Sequence, residues 1–168
     1  APHDVSILLY LLDEEPYEVT AEGNIFLQPE LSIEDMAFVT LKFPSGIIGR
    51  IHVSWLHPEK VRDLTIIGTK RMIVFRDTDR KNPLHLYGDP AYDGFPPKGI
   101  PIAESLKPFK FKLEAQVNDE EPLKLACQHF IEHVAEGTNP RSDGLDGLRV
   151  VRVLERAEKS MRSNGLKA

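Results

Sequence analysis

Between Val19 and Phe75 one pattern repeats: apolar or small residues fall on alternate positions, in runs joined by stretches too short to hold a helix. Val19, Ala21, Gly23, Ile25 and Leu27 form the first run; Ala37, Val39, Leu41 and Phe43 form the second. After the turn-forming Pro44-Ser45-Gly46, the period resumes in Ile47, Gly49, Ile51, Val53 and Trp55. Val61 to Ile67 and Met72 to Phe75 follow, separated by Gly68 to Arg71, and Leu84 to Tyr87 is a weaker run. Phe109, Phe111, Leu113, Ala115 and Val117 alternate with Lys110, Lys112, Glu114 and Gln116. Period two means strands, and sequential strands joined by short turns pair antiparallel.

Helical signals stand only at the two ends. Asp4 to Leu12 is predicted as a helix that Asp4 caps and Pro16 stops, apolar nearly all round and so expected to be buried. Pro122 to Glu136 places Leu123, Cys127, Phe130 and Val134 on one helical face and is closed by Gly137. Ser142 or Asp143 starts a last helix, whose stripe is read as Leu148, Val151, Leu154 and Met161. The expected fold is α+β, an open, mostly antiparallel sheet with helices on one face, in a single domain over 1–168. Residues 88–108, with three glycines and five prolines, read as a long loop or arm.

The formal net charge of −5 argues against nucleic acid as the partner. The longest apolar run, Ile7 to Leu12, is far short of a membrane span, and it lacks the flanks of a signal peptide. Cys127 is the one cysteine, so no intrachain disulfide forms, and the cytoplasm is the expected compartment.

No Gly-x-Gly-x-x-Gly follows a strand. His129-Phe130-Ile131-Glu132-His133 spells a zinc motif, but a third ligand is lacking, and the expected metal content is none. Asp77, Asp79 and Asn82 lack the glycine and the final glutamate of a calcium loop and read as a polar turn. Arg149, Arg152 and Arg156, interleaved with Glu155 and Glu158, read as a solvated, salt-bridged face. His3 precedes the first helix. A neutral imidazole can take a proton from a substrate hydroxyl near pH 7, although a histidine near a chain end is by default a surface residue.

Several motifs occur in a specific order. The opening Ala1-Pro2-His3-Asp4-Val5-Ser6-Ile7-Leu8-Leu9-Tyr10-Leu11-Leu12 is followed by Glu34-Asp35-Met36-Ala37, by Phe43-Pro44-Ser45-Gly46, and by Ser54-Trp55-Leu56-His57-Pro58-Glu59-Lys60-Val61-Arg62 leading into Ile67-Gly68-Thr69-Lys70. The tail carries Glu121-Pro122-Leu123, His129-Phe130-Ile131, Gly137, Pro140, Asp143-Gly144-Leu145 and Leu154-Glu155. In this order they resemble the C-terminal domain of the glucose–fructose oxidoreductase / inositol dehydrogenase / MocA-like (Gfo/Idh/MocA) family.

The resemblance implies a dihydrodipicolinate-reductase-like sheet domain. It forms the substrate side of an NAD- or NADP-dependent enzyme acting on a sugar, sugar acid or nucleotide sugar by hydride transfer. His3 falls on the family's active-site histidine. The aspartate usually four residues earlier would precede Ala1. The Rossmann domain with its lysine is expected to be missing from this chain, which alone should bind no cofactor and be inactive. Lys60 and Arg62, expected on one strand face, are candidates to bind an anionic substrate; exposed charges at a sheet edge are the plain alternative. A non-catalytic sensor or corepressor of the same family, or a free-standing interaction domain, is the alternative function. Met36, Phe38, Ile48, Leu64 and Ile66 make the second sheet face apolar as well. Self-association through that face, as a homo-oligomer, is therefore expected.

Overall fold

A computed structural model describes residues 1–27, 29–69, 71–79, 81–87, 120–163 and 165, and the backbone of 112–114. They divide into two compact units, 1–56 with 123–168 and 57–122. The loop expected over 88–108 lies outside the described residues.

In the first unit, helix α1 (Pro2–Leu12) precedes strands β1 (Glu18–Asn24), β2 (Met36–Lys42) and β3 (Ile48–Ser54), and helices α2 (Pro122–Glu136) and α3 (Gly144–Arg162) close it. The strands form one antiparallel sheet in the order β1-β2-β3. Its register sets Val19 opposite Leu41 and Val39 opposite Ile51. The alternation read from the sequence thus puts Val19, Ala21, Val39, Leu41 and Ile51 on one buried face, with Phe43 just beyond β2. Against that face α1 presses Val5 and Leu9, and α3 presses Val153 and Ala157. The turn at Pro44–Gly46 forms as expected, with Gly46 at φ 84°, a backbone region that costs a residue without Cβ nothing.

Three expectations fail: the cap of α1, its all-round burial and the stripe of α3. Asp4 does not cap α1: Ala1 is the N-cap residue, and no side chain bonds the free amides. Nor is α1 buried all round, because one helix on a three-stranded sheet covers a single stripe; Val5 and Leu9 are buried while Ile7, Tyr10 and Leu11 are exposed. On α3 the core stripe is Val150, Val153, Leu154, Ala157 and Met161, with Leu148 and Val151 exposed. Counted from Val150, its members fall at i, i+3, i+4, i+7 and i+11, the spacing of one helical face. On α2, none of the stripe residues is buried.

The arginine face of α3 is also only partly solvated. Arg156 donates to the carbonyls of Pro16 and Tyr17 at 2.7 and 2.8 Å, which ties α3 to the α1–β1 loop. Arg149 ion-pairs with Glu15 and Asp146. At the N-terminus of α3, Asp143 accepts from the amides of Leu145 and Asp146, satisfying two of the helix's free donors.

The second unit is a four-stranded antiparallel sheet in sequence order: β4 (Asp63–Ile67), β5 (Met72–Arg76), β6 (Leu84–Tyr87) and β7 (Lys112–Glu114). The polar turn after β5 is built by Asp79, whose Oδ1 accepts from the amides of Lys81 and Asn82. The architecture is α+β, as expected, with two small antiparallel sheets. Among the described residues no helix is long and apolar enough to cross a membrane.

Candidate functional site

His3 lies in the first turn of α1 and its side chain is exposed. Contacts along the first unit fix which end of the sheet it shares. Asp13, beyond the C-terminus of α1, leads into Glu14, which accepts from the amide of Ser45 in the β2–β3 turn. The start of β1 is at that turn end too, because the amide of Tyr17 donates to the carbonyl of Lys42. α1 packs on β3 and α3, with Leu8 beside Gly49. Its N-terminus therefore points toward the opposite end, where β1 finishes at Asn24, β2 begins at Met36 and β3 finishes at Ser54. α3 runs antiparallel to α1 and brings its C-terminus to this end: Met161 lies against Gly23 and the Ser160 hydroxyl accepts from the amide of Ala21.

That far end is held by side-chain-to-backbone hydrogen bonds. Asp35, 6% exposed, accepts from the amides of Phe26 and Leu27 at 2.7 and 2.6 Å through Oδ2. Its own amide donates to the Asn24 carbonyl, and its carbonyl accepts from the amide of Trp55 at 2.8 Å. Asn24 Oδ1 accepts from Ile25, and Ser54 Oγ from Leu56. The side chains thus held outward are apolar: Phe26, Leu27 and Trp55, the last 83% exposed. The sequence pattern counts Trp55 among the inward residues of β3, but the strand ends at Ser54 and Trp55 leaves the alternation. The motif around Asp35 carries family resemblance without revealing this role. Only a buried acid at the mouth of a strand, next to a loop of free amides, could have signalled it.

Lys60 and Arg62 stand in the second unit and do not share a strand, since β4 begins at Asp63. Both are exposed. The Arg62 guanidinium donates to Asp77 at 3.3 Å and its carbonyl accepts from the Asp77 amide, continuing the β4–β5 ladder beyond the strands. His129 and His133 lie with ring centroids 4.0 Å apart, and His133 Nδ1 bonds the His129 carbonyl. Among the described residues, no three histidine, cysteine or acidic side chains gather as a metal group.

A half-open groove of about 480 Å³ in the first unit is lined by Ser6 and Tyr10 of α1, Leu125 and His129 of α2, and Arg141 and Asp146. Arg141 stands over the Tyr10 ring, 5.8 Å from its centroid. His3 does not line this groove.

Residues 1–74 match the model of the GFO/IDH/MocA C-terminal domain. That match covers 74 of the 168 residues and marks a likeness to this domain. UDP-N-acetylglucosamine 3-dehydrogenase GnnA from Acidithiobacillus ferrooxidans superposes with a TM-score of 0.76 at 20% identity, over 96% of this chain and 47% of that one. Aldose-aldose oxidoreductase from Caulobacter crescentus, solved with glycerol, gives 0.75 at 16% identity, over 99% and 45%. The WlbA dehydrogenase from Bordetella pertussis, solved with NADH and UDP-GlcNAcA, gives 0.66 at 20% identity, over 99% and 42%. The chain therefore spans about half the length of these structures, and at such identities the likeness concerns the fold. No curated protein matches.

Proposed function

We propose that the chain is a GFO/IDH/MocA C-terminal domain and forms the substrate side of an NAD(P)-dependent oxidoreductase acting on a sugar, sugar acid or nucleotide sugar, with its two units working as one domain. The observation that carries this reading is His3: it stands exposed on the first turn of α1, inside the stretch that matches the family. Oxidation of a carbinol carbon needs a base for the hydroxyl proton, and an exposed imidazole on a rigid helix can serve. Lys60 and Arg62 are candidate contacts for an anionic substrate. Lys60 is the better placed, since Arg62 is engaged with Asp77. The setting is the cytoplasm, and the oligomer forms through the open face of the β1-β2-β3 sheet.

The residues present do not fit a dinucleotide. The whole sequence lacks a glycine-rich turn, and the described strands pair antiparallel, whereas the pyrophosphate cradle follows a parallel strand and opens a helix. NAD or NADP is accordingly assigned to a partner domain, and no step through it is given to these residues. Calorimetry of this chain with each dinucleotide is expected to read no binding; micromolar affinity would overturn that assignment.

The test of function uses the full-length protein that carries this domain. His3→Ala is expected to lower kcat by about 10²- to 10⁴-fold, the usual share of a positioned acid–base group, with cofactor affinity unchanged. An unchanged kcat would remove His3 from the chemistry.

A further inference from the structure

We propose that Asp35 is a positioning residue that holds Phe26, Leu27 and Trp55 as a rigid apolar wall at the His3 end of the sheet, and that the C–H face of the substrate's sugar ring lies against Trp55. This rests on the reading of the domain as the substrate side of a sugar oxidoreductase.

Burying a carboxylate is costly unless its oxygens are bonded, yet Asp35 sits 6% exposed with Oδ1 buried and unpartnered. What offsets that cost is backbone control. Through Oδ2, its amide and its carbonyl, this one residue makes four hydrogen bonds. They reach the end of β1, the loop after it and the residue that follows β3. Bonds to an ionised acceptor are roughly twice as strong as neutral ones. Asn24 and Ser54 add two more clamps on neighbouring amides.

A loop that only had to connect β1 to β2 would need none of this, and its apolar side chains would turn inward. Here the backbone is fixed while Phe26 and Trp55 stay 55% and 83% exposed. Fixed backbone with outward aromatics is how a scaffold presents a binding surface. The chemistry of that surface selects the occupant. An indole offers a flat, polarisable face and one N–H donor, so it suits a ring with an apolar C–H side and hydroxyls at its rim. The placement agrees, because α1 brings the exposed His3 imidazole to this same end. Trp55 would therefore act in binding and orientation, and Asp35 through it.

Trp55 is the one tryptophan in the chain, so its emission reports on this wall directly. In the chain itself, Asp35→Ala is expected to lower the fluorescence anisotropy of Trp55 and to raise its quenching by acrylamide, with the circular dichroism of the fold retained. Asp35→Asn, which keeps one oxygen to accept from Phe26 and Leu27, is expected to restore both. If Asp35→Ala leaves Trp55 unchanged, the positioning role is overturned. Should Asp35→Ala not fold, Asp35→Asn and the exposed Trp55→Ala carry the test.

In the full-length protein, UDP-N-acetylglucosamine, glucose and gluconate serve as the nucleotide-sugar, aldose and sugar-acid probes. For whichever is turned over, Trp55→Ala is expected to raise KM about tenfold with kcat little changed, the mark of lost uniform binding. The cofactor's KM should not move. Turnover with an unaltered sugar KM would overturn the wall while leaving the enzyme reading intact. Failure of all three probes to turn over would sink the enzyme reading and the sugar with it, and the fluorescence arm would still decide what Asp35 does.

Discussion

The two faces of the β1-β2-β3 sheet come from the same three strands, yet they do different work. One face carries Val19, Ala21, Val39, Leu41 and Ile51, all buried beneath α1 and α3. The other carries Glu18, Thr20, Lys42 and Arg50 along with Phe38 and Ile48, and nothing among the described residues buries it. Phe38, 44% exposed, stacks on the cross-strand ring of His52 at 4.5 Å. Alternation therefore decides which residues can share a face, while the helices decide which face becomes core. The mixed face is neither a core nor a uniformly polar surface, which is the observation behind the proposed interface.

The contrast is broken most forcefully on the covered side. Phe43 is 1% exposed and the largest fully buried side chain of the core, so Phe43→Ala should cost about 3–5 kcal/mol of folding stability through lost burial and a cavity. Phe38→Ala should cost well under half of that in the monomer. Urea denaturation of both variants checks the pair, and equal losses would mean that the open face is buried in the folded chain. Next in size is Ser160→Ala. Its hydroxyl accepts from the Ala21 amide at 2.9 Å, on the edge of β1 where no described strand pairs. Removing it leaves a buried donor without a partner, which should cost about 1–3 kcal/mol. Hydrogen exchange at the Ala21 amide should accelerate at the same time.

How much of this was legible follows from what each residue depends on. The strands, the hairpin turn and the ends of α2 depend on local periodicity and turn chemistry, and the sequence displays both. The α3 stripe was misread because Leu148 and Val151 look as apolar as Val153 and Ala157, and only the direction from which the sheet approaches separates them. For α2 the stripe is real, but its burial is not a local property: Leu123, Phe130 and Val134 stay exposed. At the candidate site, His3 is a proposal that rests on the family motifs. Asp35 and Trp55 were not legible, because their roles depend on three strand ends converging, and no single segment shows that.

The open face offers a sharper test of the comparison. If it is an interface between two copies of this chain, Met36→Lys and Phe38→Lys should each weaken self-association at least about tenfold, about 1.4 kcal/mol, with little change in the fold of the monomer. Sedimentation equilibrium at tens of micromolar reads this directly. A monomeric parent, or a dimer indifferent to both lysines, would remove the face from the assembly.

The smallest effect lies at the rim of the same face. Glu18 and Lys42 are cross-strand partners, and their side chains meet at 2.6 Å. The hydrogen bond that Lys42 donates to the Glu18 carboxylate, and then the charge of Glu18, hold the Lys42 ammonium above the usual lysine range. Because the folded value is raised, the pair's contribution is fully present below about pH 10.4, where unfolded lysine titrates, and is lost as pH rises through the folded value. The lysine is well solvated, so the effect on stability is slight and weakens with salt. The measurement is a difference: Tm of the parent chain minus Tm of Lys42→Met, followed from pH 9 to pH 11.5. Other titrating groups are common to both proteins and cancel. The gap should narrow toward the alkaline end and also shrink in added salt at pH 9. A constant gap would show that Lys42 acts through the packing of its aliphatic stem on the strand, which would make even this rim part of the apolar surface.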